Sequence, residues 1–530
     1  MGITVGPVTG CVVRAAYVVP SNRTPQSNAV ARLQLALRRY QDWYRDQMDR
    51  NGFGPKSFRY ETEADGTTPK VYVADVSATD ADLREDIWGR TISAASGAGV
   101  PIWTSRQVWW LISEAHAESS NGSISGGTAL GASYGSGDDA GVAMLGGDSL
   151  ARFHAAYLTN DSGYAGRTMP ELGPYPLVQD VSFPWFEGSS LSSISSSVLG
   201  AGLHEMSHAF GLPHDFRNDE NFKGNLMGNG LRGIRGNIHA DKYPTDYTRL
   251  TYASALALSV SRYFNPVKNY TDNTAPSVSI STSGTNTPVN GLLKISFTAS
   301  DPSQLAAAWL IRNGDLVGEM PLGGTTTNTY FETAYYSPGE NDNFTVCVFD
   351  TQGNRRSVDR TIVTRSGFNR APRPYLKLAV ATAYVGQSVR LDVSSSEDPD
   401  GSVSALKVEW DYDGDGVFDT VPSTTKVLNR AFTTAGNFMV RARLTDSAGA
   451  QTISTPVPLR IIAPTLGFGR NGGLVQLKWP SAAAGFALQS ADDVASTNWS
   501  PEAATPILSG GNWVVTVTNE HAARFFRLRR

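Results

Sequence analysis

Three of the seven histidines in this chain fall within one short run, Leu203-His-Glu-Met-Ser-His-Ala-Phe-Gly-Leu-Pro-His-Asp215. His204 and His208 are four residues apart, so on a helix their imidazoles lie one turn above the other on a single face and can grip one cation. Glu205 follows the first of them and can reach a water on that cation without binding the cation itself. Gly211 lets the backbone leave the helix through a conformation that a side chain resists, and Pro213 confirms the stop. The redirected chain brings His214 back as a third nitrogen ligand. Three nitrogens leave the fourth position of a tetrahedral zinc open.

The run H-E-x-x-H-x-x-G-x-x-H resembles the zinc-binding signature of the metzincin metallopeptidases, and Asp215 extends the match to the subset with an acid after the third histidine. Metzincins carry a tight turn with a methionine beneath the zinc. Asn225-Leu-Met-Gly-Asn-Gly230 fits it, with Met227 as the methionine. The resemblance implies zinc held by His204, His208 and His214, Gly211 as the structural turn, and Glu205 as general base for peptide hydrolysis by zinc-bound water. That route needs no acyl-enzyme, so Ser207 is expected to be a bystander. Some metzincins place a tyrosine two residues after the turn methionine; here the position is Asn229. Tyr243, Tyr247, Arg232, Arg235 and His239 lie within sequence reach of the site, and spacing does not rank them. The alternative, a buried amphipathic helix that happens to be rich in histidine, needs this set of residues around a helix end for no shared reason.

The elements that must position these residues occupy the first half of the chain. Total length is 530 residues, too long for one core. Residues 1–265 are expected to form the metzincin-like peptidase domain, an α+β fold with a twisted mixed sheet and long helices. Cys11 to Val19 reads as a first strand, and Gln26 to Arg50 as an amphipathic helix, with Val30, Leu33, Leu37, Tyr40 and Tyr44 at helical spacing. Strands are expected at Ser57 to Glu63, Val71 to Val76 and Gln107 to Ser113, and a helix at Asp80 to Ala95. The glycine- and serine-rich stretch from Asn121 to Ala140 reads as a loop, with Asp138 and Asp139 as solvated acids. Gly141 to Gly147 is either the edge strand above the zinc, by position and resemblance, or an ordinary hairpin strand. Leu191 to Phe210 makes the active helix, and Tyr247 to Phe264 a closing one.

All-β sandwich modules are expected after this domain. Residues 276–365 alternate in short strands separated by Gly, Asn and Asp turns, similar to immunoglobulin-like modules of bacterial surface proteins. Residues 371–463 resemble a PKD (polycystic kidney disease-type) domain through Ser396-Glu-Asp-Pro-Asp-Gly401 and Glu409-Trp-Asp-Tyr-Asp-Gly-Asp-Gly416. Asp411, Asp413, Asp415 and Asp419 are spaced like the first ligands of a calcium loop and are candidate calcium ligands. Pro422 stands where an EF-hand needs glutamate, which argues against an EF-hand. Residues 464–530 form a small β module whose ending resembles C-terminal domains of exported bacterial proteins.

Composition sets limits on partners. The net charge of −4 gives no footprint for nucleic acid or an anionic membrane. Cys11 and Cys347 are the only cysteines and fall in different modules, so no disulfide framework holds the fold. No apolar run reaches the roughly 18 residues needed to span a bilayer. The first residues lack the basic start and apolar core of a signal peptide, yet the module content points outside the cell. The combined expectation is a secreted or cell-surface zinc endopeptidase, its substrate a polypeptide or glycoprotein, its sandwiches holding it on an extracellular polymer. The rival is a non-cleaving adhesion or glycan- or protein-binding protein that keeps a metzincin fold.

Overall fold

The computed structural model describes residues 3–7, 9–118, 124–125, 128–135, 140–150, 152–153, 155–162, 167–168, 176–177, 190–265, 268–471, 474–483, 485–518 and 523–530. The chain is multidomain, with many β-sheets and few helices.

The first sheet is built from strands that are apolar on both faces. Strands β1 (Val12–Val19), β2 (Val71–Asp75), β3 (Gln107–Ser113), β4 (Ala129–Tyr134) and β5 (Ala140–Gly146) lie in the order β2-β1-β3-β5-β4. The pairs β1/β2, β1/β3 and β3/β5 are parallel, and β4 runs antiparallel to β5 at the edge. Alternation sorts side chains into two layers. Val13, Ala15, Tyr17, Val108, Trp110, Ala143 and Leu145 face one core, while Ala16, Val18, Trp109, Leu111, Val142 and Met144 face another. Helix α1 (Ala29–Arg50) covers the first face through Leu33, Leu37, Tyr40, Tyr44 and Met48, which recur at helical spacing. Helices α2 (Asp80–Glu85) and α3 (Ile87–Gly97) serve the second. They are two helices where the sequence reads as one. A capping box between Thr79 and Asp82 starts α2, and the Asp86 carboxylate accepts the Gly89 N–H to start α3.

Three further expectations are corrected. Ser57 to Glu63 makes only isolated bridges, Val13 with Tyr60 and Thr62 with Pro69. The closing helix is short: Tyr247–Arg249 is a strand parallel to Lys223–Asn225, and Thr251 then caps helix α5 (Tyr252–Leu258). Gly141 to Gly147 is not the edge strand. Its residues form the buried interior strand β5, and the edge is β4, from the stretch expected to be a loop. Asp138 and Asp139 lie outside the described residues.

The sandwich that follows packs three strands (277–280, 293–300, 326–333) against five (284–286, 305–312, 315–321, 341–350, 355–364). One strand of the larger sheet turns Ala308 and Leu310 into the sandwich core and Ala307, Trp309 and Ile311 onto the first domain. Its neighbour does likewise with Val346 and Val348 inward, Cys347 and Phe349 outward. The Trp309 indole donates to the Ala253 carbonyl at 2.9 Å, so the two modules share one apolar core. The next sandwich keeps its own core around Leu391, Trp410, Val440 and Leu459. Its Arg460 reaches Asp46 and Asp49 at the end of α1, both at 2.6 Å. The last module is smaller, with Leu477, Trp479 and Val515 at its centre. Among the described residues no helix is long and apolar enough to cross a membrane.

Candidate metal centre

Helix α4 (Leu191–Ala209) crosses the first face of the sheet and carries His204, Glu205 and His208. Its serine-rich start is capped by Ser190, whose hydroxyl accepts the Ser193 N–H. Ser207 is fully buried, bonded to the Leu203 carbonyl and the Tyr44 hydroxyl, which fits a packing role. At the other end Gly211 adopts φ 88° and its N–H bonds the His208 carbonyl at 2.8 Å. The chain reverses there and returns His214 to the face of α4.

The three imidazoles meet, with one ring nitrogen from each lying within 4.8 Å of the others. Ring centroids are 4.7 Å apart for His204 and His208, 4.7 Å for His208 and His214, and 5.4 Å for His204 and His214. His204 Nδ1 bonds the Leu226 carbonyl at 2.6 Å, and His208 Nδ1 bonds the Leu212 carbonyl at 2.8 Å. A carbonyl only accepts, so each Nδ1 carries the proton and each Nε2 presents a lone pair to the centre. Burial pushes His204 down to about 3 and His208 down to about 4, which keeps both rings neutral. His208 Nε2 and His214 Nε2 stand 3.2 Å apart. Ring nitrogens converging this closely suit a shared cation of the zinc type, for which imidazole is an ordinary ligand.

Glu205 is buried beside this group and belongs to no ligand cluster. Burial alone pushes its carboxyl up to about 8. Met227 is also buried, and its carbonyl accepts the Asp215 N–H at 2.9 Å, tying the methionine turn to the third histidine's neighbour.

Asp219, Arg217 and Gly131 position the site without a sequence signal, and Asp215 does so with one. The Asp219 carboxylate accepts N–H groups from Asn225 at 3.1 Å, Asn229 at 2.5 Å and Gly230 at 2.8 Å, so it organises the turn that supplies the Leu226 carbonyl to His204. Asp215 is fully buried and held bidentately by Arg217, whose remaining Nη1 reaches Glu319 of the first sandwich at 2.6 Å. The same sandwich donates the Leu316 N–H to the His214 carbonyl at 2.9 Å. Edge strand β4 lies on α4 so closely that a Cβ at Gly131 would stand 2.2 Å from the Glu205 carbonyl and 2.8 Å from His208 Cβ. Among the residues that spacing did not rank, Tyr247 bonds the Leu378 carbonyl, Tyr243 bonds Asp161, Arg235 pairs with Asp246, and Arg232 bonds Asn229 of the turn.

Beside the histidines, the Phe216 ring lies tilted 5.4 Å from His214, is 46% exposed and lines a cleft of about 300 Å³. Arg312, Tyr335, Arg373, Tyr375 and Glu397 from the two sandwiches line it.

The candidate calcium residues are only partly gathered. Asp411, Asp413 and Asp415 converge, and Asp419 stands outside that group with its carboxylate on the Tyr412 N–H at 2.8 Å. The Asp411 carboxylate already receives the Gly414 and Gly416 N–H groups and the Arg441 guanidinium.

A family model described as PKD domain matches residues 369–460. No curated protein matches the chain. Among solved structures, wild-type OgpA from Akkermansia muciniphila is similar at 14% identity and TM-score 0.42, over 68% of this chain and 95% of that one. Catalytically inactive OgpA from the same organism, in complex with an O-glycopeptide substrate, matches at 14% identity and TM-score 0.40, again over 68% and 95%. Fibronectin(III)-like modules of Clostridium thermocellum CbhA match at 15% identity and TM-score 0.15, over 35% of this chain and 94% of that one.

Proposed function

We propose that the chain is a secreted zinc-dependent endopeptidase that hydrolyses peptide bonds of extracellular proteins or glycoproteins. One observation carries the reading: three imidazoles converge from a helix and its return loop, with a buried carboxylate next to them. His204, His208 and His214 hold the ion; when bound, zinc supplies a Lewis acid that acidifies water and polarises a carbonyl. Glu205 accepts the proton from the attacking water and delivers it to the amine nitrogen of the departing peptide. Its buried position makes it a stronger base than an exposed carboxylate. Edge strand β4, which among the described residues pairs on one side only, offers its backbone to an extended peptide and so aligns the scissile bond along α4. The cleft beside Phe216 places substrate residues against both sandwiches, so these modules contribute to recognition.

The test combines metal analysis with digestion of a peptide library. Wild type is expected to hold one zinc and to lose cleavage on chelation. Glu205→Gln should keep zinc and lose about 10²–10⁴-fold in rate, the usual worth of a general base. His214→Ala should lose zinc. Zinc-loaded wild type without cleavage of any library member would favour the non-cleaving adhesion reading, and full activity in Glu205→Gln would remove the mechanism.

A further inference from the structure

Away from the histidines, three carboxylates from separate segments converge where the first domain joins the first sandwich. Asp272 comes from the connecting segment, Asp301 follows the strand Leu293–Ser300, and Asp350 ends the strand Asn341–Asp350. One carboxylate oxygen of each lies within 4.8 Å of the others. Asp272 is half-buried; Asp301 is 2% exposed and Asp350 0%. Burying acids so close together is costly without a compensating charge.

Elsewhere this chain supplies that charge with guanidinium groups: Arg217 on Asp215, Arg312 on Asp342, Arg441 on Asp411. Here the neighbouring guanidinium is Arg262, whose charge, after the Ser303 hydrogen bond, helps hold the Asp272 carboxyl below its ordinary value. Arg262 stands beside them and donates to the Asn273 and Asn354 side chains and to the Asp272 and Gln352 carbonyls. The hydrogen bonds that do reach the acids come from neutral groups. Asp272 accepts from Ser303 Oγ and the Thr274 N–H, Asp301 Oδ1 from the Ser303 N–H, and Asp350 from Gln352, Asn354 and the Asn354 amide. Asp301 Oδ2 is buried with no partner at all. A buried carboxylate oxygen without a hydrogen-bond partner, on an acid gathered with two others, is the donor set of a hard cation.

We propose that Asp272, Asp301 and Asp350 bind a calcium ion that clasps the connecting segment to the first sandwich. An all-oxygen set excludes a soft-metal site, and ligands spread over three chain segments suit the adaptable shell of calcium better than the rigid octahedron of magnesium. The site is independent of the zinc reading. It would stiffen the joint of the sandwich whose Leu316 supports His214.

The experiment is equilibrium binding of calcium to the full, zinc-loaded chain, with thermal unfolding in calcium and in EGTA. Asp301→Asn should bind one calcium fewer per chain than wild type. It should be at least as stable as wild type in EGTA, because repulsion is relieved, and less stabilised by calcium. Asp272→Asn, a half-exposed change that leaves the core intact, should weaken the same binding event at least about tenfold. Asp413→Asn with Asp415→Asn should leave this event in place. An unchanged calcium count in Asp301→Asn and Asp272→Asn, loss of the event in the Asp413/Asp415 variant, or equal occupancy by magnesium at the same concentration would overturn the assignment.

Discussion

Glu205 is the residue where burial and chemistry pull against each other. Its carboxyl lies at about 8 when no cation is near, against an ordinary 4.5, because the folded chain strips it of water. A raised carboxyl stabilises the fold fully below its unfolded value, and that contribution is lost as pH rises through its folded value. In the metal-free chain the window therefore runs from about pH 4.5 to about pH 8. Glu205→Gln cannot ionise and keeps the same histidines, so their opposite pH dependence cancels in the comparison. The variant's advantage in melting temperature over metal-free wild type should widen across that window and flatten above it, reaching on the order of a few kcal/mol. A constant difference at all pH values would mean that the carboxylate is solvated. Asp219 makes the second case at this scale. Asp219→Ala removes the acceptor for three turn N–H groups and should cost about 2–4 kcal/mol in urea unfolding. Zinc affinity should fall about 10–100-fold, since the turn supplies the carbonyl that orients His204. The gathering of the three histidines was legible because helix period and a glycine exit dictate it, whereas Met227 was singled out by resemblance to the metzincin turn. Asp219 was not, because an acid that collects backbone N–H groups from a loop has no characteristic spacing.

Among the elements, the sheet and α1 could be read from apolar periodicity, and the edge strand could not. Strand β4 runs Ala-Leu-Gly-Ala-Ser-Tyr, with small residues where a strand usually places branched ones. Its composition looked like loop because α4 leaves no room for side chains beneath it. Gly131 marks the contact: an alanine there meets the Glu205 carbonyl at 2.2 Å, and neither backbone can yield cheaply. Gly131→Ala should destabilise the chain by about 1–3 kcal/mol, as overpacking commonly does. By displacing the strand or the helix it should also lower cleavage more than zinc content. Retention of wild-type activity would show that β4 can lift off α4 freely, and the proposed peptide-docking role would fall. The split of the second helix has a similar origin. Asp86 and Thr79 are both good caps, and one apolar pattern spanning them hides the break.

At the scale of the whole molecule, the first sandwich is built into the first domain. Sequence alternation predicted short strands across residues 276–365, yet within it Ala306 to Ile311 and Phe344 to Phe349 carry apolar residues at consecutive positions, which a half-solvated sheet does not need. The structure gives the reason: one face fills the sandwich and the other, through Trp309, Cys347 and Phe349, fills the first domain. The same sheet contributes the Leu316 N–H to His214, Glu319 to Arg217, and an Arg355 guanidinium placed where Gly211 has no side chain. A chain cut after residue 265 would expose that apolar face and free the loop bearing the third histidine. It should aggregate, or, where it stays in solution, bind zinc at least about tenfold more weakly than the full chain. A chain cut after residue 463 removes a module with its own separate core and should keep both zinc and cleavage. Size-exclusion chromatography with metal analysis of the two truncations separates these outcomes. A monodisperse, fully zinc-loaded 1–265 fragment would show that the first sandwich is a passenger, because the contacts to His214, Arg217 and Gly211 would then contribute nothing to holding the loop.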